Sequence, residues 1–63
     1  MGWLMSDDEL RDAVIIMRQR ANRQWGQYVL WRLILDVEAL LKGDRTLAER
    51  DVIVNQVEQA LRS

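Results

Sequence analysis

The chain has no cysteine, no histidine and no proline, and only three glycines in 63 residues. Without cysteine or histidine there is no disulfide framework, no thiolate or imidazole metal site, and no Cys-His or Ser-His-Asp nucleophile system. Without proline, and without any Ser- or Gly-rich linker, low-complexity tract or internal repeat, nothing divides the sequence into domains, so residues 1–63 are expected to form a single one. A core built from so few residues is marginal and usually needs a disulfide, a metal or a partner to hold it. With the first two excluded, association is the support that remains.

An excess of charge is also missing. Nine Lys and Arg stand against ten Asp and Glu, a formal net charge of −1, so no global basic field draws the chain to nucleic acid. Eight of the nine cations are Arg, the cation suited to bidentate and stacked contacts at interfaces. Long apolar runs are absent too. The stretch from Tyr28 to Leu41 is interrupted by Arg32, Asp36 and Glu38 and falls short of the roughly 20 residues that span a membrane. The opening Met1 to Met5 is apolar but lacks a basic flank and runs into Ser6-Asp7-Asp8-Glu9, unlike a signal peptide. The expectation is a cytoplasmic protein without membrane contact or cofactor.

What is present is helix. Ser6 followed by Glu9 has capping-box spacing, with Met5 and Leu10 placed as a hydrophobic staple across it, and Asp7, Asp8 and Glu9 sit where the helix dipole favours acids. A second capping box, Thr46 with Glu49, opens a last helix of about 16 residues, and Gly43 before it suits the left-handed C′ position that ends the preceding helix. On that last helix Leu47, Ile53, Val54, Val57, Ala60 and Leu61 form one apolar face.

Between these marks Leu10, Val14, Met17, Ala21, Tyr28, Trp31 and Leu35 recur at steps of four and three, skipping only Gln24, where Trp25 is adjacent. The stripe passes Gly26 without a phase break, and it favours one helix over about residues 6–42, roughly 55 Å long. The expected fold is therefore all-α: a helical hairpin with a short second helix over about 47–62, paired with a second copy in a homodimeric four-helix-type bundle. The alternative is a three-helix bundle with a break near 22–27, supported by acids at the start of the first segment and Arg18, Arg20 and Arg23 near its end.

The apolar surface is concentrated in residues 28–41. Leu30, Leu33, Ile34, Val37 and Leu41 make one stripe, and Tyr28, Trp31 and Leu35, with Val29 beside them, make another. A helix apolar on so much of its circumference is buried on more than one side, and the last helix covers one side only. Tyr28, Leu30, Trp31, Leu33, Ile34, Leu35, Val37 and Leu41 are accordingly the expected oligomer interface.

The densest polar chemistry runs from Arg18 to Trp25. On a continuous helix Arg11, Arg18, Asn22, Trp25 and Arg32 share about one face, a set suited to a protein hot spot and also to phosphate and base contacts. The carboxylates Asp7, Asp8, Glu9 and Asp12, like Asp44, Glu49 and Asp51, are explained by helix starts, and Arg32 and Lys42 stand four residues from Asp36 and Glu38 as expected ion-pair partners. No catalytic site is expected. The function that follows is a small non-enzymatic regulator or adaptor, acting as a homodimer and binding an unidentified protein partner through a helical face. Alternatives are a structural or assembly subunit of a larger complex, and an RNA- or DNA-binding dimer using the Arg18–Arg32 face.

Overall fold

A computed structural model describes residues 5–23 and 26–62. Three helices and, among the described residues, no strand make up the fold: α1 (Asp7–Arg23), α2 (Tyr28–Leu41) and α3 (Leu47–Arg62).

The single helix expected over residues 6–42 is not formed; the three-helix alternative, with its break near 22–27, fits. Gly26 adopts φ +80, a left-handed conformation that costs a residue bearing a Cβ roughly 1–2 kcal/mol and that no right-handed helix passes through. The four-three spacing stays in phase across this turn, which is why the stripe alone does not betray it. Gln27 then precedes α2 with no side-chain hydrogen bond capping that helix.

Both capping boxes form. The Ser6 amide donates to Glu9 Oε1 at 3.0 Å and the Glu9 amide to Ser6 Oγ at 3.2 Å. Thr46 and Glu49 repeat the pattern at 2.9 and 3.2 Å. Met5 packs on the core that contains Leu10, as a staple does. At the end of α2 the Gly43 amide donates to the Leu40 carbonyl and the Asp44 amide to the Ala39 carbonyl, both at 3.0 Å, with Gly43 at φ +84. These are the two bonds of a Schellman motif.

Helix directions follow from two arginines. Arg50, in the first turn of α3, donates to the Met5 carbonyl at 2.8 Å and to Asp7 Oδ1 at 3.2 Å. Arg20, near the end of α1, donates to the carbonyls of Ala60 and Leu61 at 2.7 and 3.3 Å. The starts of α1 and α3 therefore lie together, as do their ends, so the two helices are parallel. α2 runs back between those ends and is antiparallel to both.

Their shared core is Leu10, Ala13, Val14 and Met17 from α1, Leu33, Ile34, Val37 and Leu40 from α2, and Ile53, Val54 and Val57 from α3. No polar or charged residue is buried among those described. Leu47, expected on the apolar face of the last helix, is instead 83 % exposed. It opens the first turn of α3, about 75° around the helix from the core direction.

Two measurements test this fold. Gly26→Ala should lower stability by about 1 kcal/mol, or roughly 4–8 °C in Tm, whereas in a continuous helix the same change would raise it by a similar amount. The second concerns acid. The Ser6 amide, then the Ser6 hydroxyl, hold the Glu9 carboxyl below its ordinary value of 4.5, and Thr46 does the same for Glu49. A folded value below the unfolded one stabilises fully above the unfolded value and loses that stabilisation as pH falls through the folded one. Thermal melts should therefore show Glu9→Gln with Glu49→Gln losing less Tm than the wild type between pH 6 and pH 3.

Candidate interaction surface

At 100° per residue, α2 presents two apolar faces. The inner one carries the buried Leu33, Ile34, Val37 and Leu40, with Leu30 and Leu41 packed at its margins. The outer one is a ridge of Tyr28, Leu35 and Ala39, edged by Trp31 and Glu38 on one side and by Val29, Arg32 and Asp36 on the other. Tyr28 is 70 % exposed, Val29 77 %, Leu35 61 % and Trp31 41 %, after the chain's own core is complete.

The expected oligomer interface is thus divided. Tyr28, Trp31 and Leu35 are exposed on the ridge, while Leu33, Ile34 and Val37 lie in the chain's own core and Leu30 and Leu41 pack against it. The reason is the reversal at Gly26. By folding α1 back, it supplies a second covering helix that a simple hairpin lacks.

The polar face is divided as well. On α1, Arg11, Ile15, Arg18 and Asn22 follow one another at steps of four, three and four, all exposed. Arg11 pairs with Asp8 at 2.9 Å, and Arg18 bridges to Glu38 of α2, so this row borders the Trp31 edge of the ridge. Glu38 therefore meets Arg18, not the expected Lys42. Arg32 no longer shares a face with Arg11 and Arg18, because the turn places it on a different helix, on the ridge edge that looks toward α3. Trp25 lies outside the described residues, as do Trp3 and Leu4.

On the α3 side the ridge borders an open groove of about 910 Å³ whose lining includes Arg20, Arg23, Arg32, Asp36, Gln56 and Gln59. Arg20 is committed there to the last carbonyls of α3. Among the described residues no three carboxylates gather into a metal-binding group, and none is buried. Among the described residues the arrangement offers apolar and charged contacts. No helix among the described residues is long and apolar enough to cross a membrane.

Ile15, 56 % exposed, was not singled out by the sequence. The signal was there: Ile15 and Ile16 follow Val14 and precede Met17, and a helix cannot turn four successive side chains inward. The chain matches no protein-family model, no curated protein and no solved structure.

The two faces of α2 separate by mutation. Ile34→Ala, at a position 1 % exposed, should cost roughly 2–5 kcal/mol and unfold much of the population at 37 °C. Leu35→Ala, one residue away on the ridge, should change the stability of the dilute chain by under about 0.5 kcal/mol. Urea denaturation of both variants at nanomolar concentration checks the contrast.

Proposed function

We propose that this chain is a non-enzymatic protein-interaction module that acts as a homodimer through the outer ridge of α2. One observation carries the reading: Tyr28, Val29, Trp31 and Leu35 stay exposed together on one helix face although three helices already share a complete core. Full removal of such side chains from water contributes roughly 1.5–3 kcal/mol each, comparable in sum to the few kcal/mol that a core of this size supplies alone. The contact sets α2 of one copy in a layer against α2 of the other, with α1 flanking one edge of each ridge and α3 the other.

The row of Arg11, Arg18 and Asn22 borders this layer and is the surface offered to a protein partner. Nucleic acid is the weaker candidate there, because Arg11 and Arg18 already have carboxylate partners and the net charge is −1. A second reading, a subunit of an open-ended assembly, is favoured by Leu47 and Val52, exposed on α3 at 83 % and 58 %.

Sedimentation at low micromolar concentration tests both. The dimer reading expects a species of twice 7.5 kDa, and Leu35→Glu should weaken association by tenfold or more with helical content unchanged. A wild-type chain that remains monomeric at 100 µM overturns it. Species growing beyond the dimer, suppressed by Leu47→Glu with Val52→Glu, transfer the conclusion to the assembly subunit.

A further inference from the structure

We infer that the two copies pair with their α2 helices antiparallel, centred near residue 34, so that Arg32 of each copy is set against Asp36 of the other. This rests on the reading of the α2 ridge as the self-association surface. Two observations supply the direction.

The first is a pair of charges left without partners. Arg32 and Asp36 stand one turn apart on the same edge of the ridge, yet they form no ion pair with each other or with any described residue. A two-fold axis perpendicular to the helices turns matching edges together and reverses their order. Residue 32 then lies level with residue 36 of the partner, and two identical ion pairs close. The same register sets Leu35 near its own symmetry mate and Tyr28 over the partner's Ala39, whose small side chain leaves room for the ring. A two-fold axis parallel to the helices joins opposite edges instead. It sets Arg32 beside the partner's Trp31 and leaves both charges unmatched.

The second observation is the polarity of the bundle. Asp7, Asp8, Asp12 and Asp51 lie toward the end where α1 and α3 begin, while Arg20, Arg23 and Arg32 lie toward the other end. An antiparallel contact sets the acidic end of one copy beside the basic end of the next; a parallel one sets like beside like.

Charge exchange and cross-linking test the inference together. Arg32→Asp and Asp36→Arg should each weaken the dimer roughly tenfold or more, and the double variant Arg32→Asp/Asp36→Arg should recover most of the affinity. All three should keep wild-type circular dichroism, since both positions are outside the core. The chain has no cysteine of its own, so introduced thiols report cleanly. Antiparallel pairing places the two Ala39→Cys positions about 15 Å apart along the axis, too far for a disulfide, whereas Ala39→Cys mixed with Tyr28→Cys should cross-link. A disulfide between two Ala39→Cys chains, or single charge variants that dimerise like wild type, overturns the antiparallel register while leaving the ridge as the interface. A wild-type chain that does not dimerise overturns the ridge itself, and the register with it.

Discussion

The reversal at Gly26 is the constraint on which the rest of the structure depends. With α1 folded back antiparallel to α2, Leu10 and Met17 meet Ile34 and Val37, and Val57 of α3 closes the same core; all five side chains are fully buried. A continuous helix could not place Met17 and Ile34 in one cluster, since 17 residues of helix would hold them about 25 Å apart. Both the core and the two-faced character of α2 are consequences of a glycine in a conformation that L side chains avoid.

The reversal also creates a problem that two arginines address. With α2 antiparallel to its neighbours, α1 and α3 must be parallel, and their dipoles lie side by side in the unfavourable sense. Arg20 places a cation on the terminal carbonyls of α3, and Arg50 ties the start of α3 to the Met5 carbonyl and the Asp7 carboxylate. Each contact joins residues 40 or more positions apart and fixes one end of the parallel pair. The two contacts hold opposite ends of the bundle, so their contribution is as much to register as to stability.

Local chemistry was legible in the sequence, and long-range geometry was not. The Ser6 and Thr46 caps and the Gly43 terminus involve partners within five residues, and their spacing specifies them almost completely. Gly26 is different. A glycine without a neighbouring Pro, Asp or Ser does not announce a turn, and Tyr28, Trp31 and Leu35 continue the stripe of Leu10, Val14, Met17 and Ala21 in phase. The division of α2 into two apolar stripes was visible, but which faced inward depended on where α1 lay. Arg32 shows the cost of missing the turn: its helical phase relative to Arg18 carries no information once the helix between them is broken.

The composition of the two stripes indicates why the inner one is inside. Leu33, Ile34, Val37 and Leu40 are wholly aliphatic and leave no polar atom to satisfy, whereas Tyr28 and Trp31 each carry a hydroxyl or an indole N–H that needs a partner or water. Burying the aromatic stripe between α1 and α3 would enclose those groups in a core that contains no polar residue among those described. On the outer ridge Tyr28 and Trp31 stay exposed, and such rings offer broad apolar area at little cost in rotamer entropy, as aromatic side chains do at protein interfaces. The same physical choice that completes the core therefore leaves an aromatic, apolar surface on the outside, flanked by Arg32 and Asp36, which pair with no described residue.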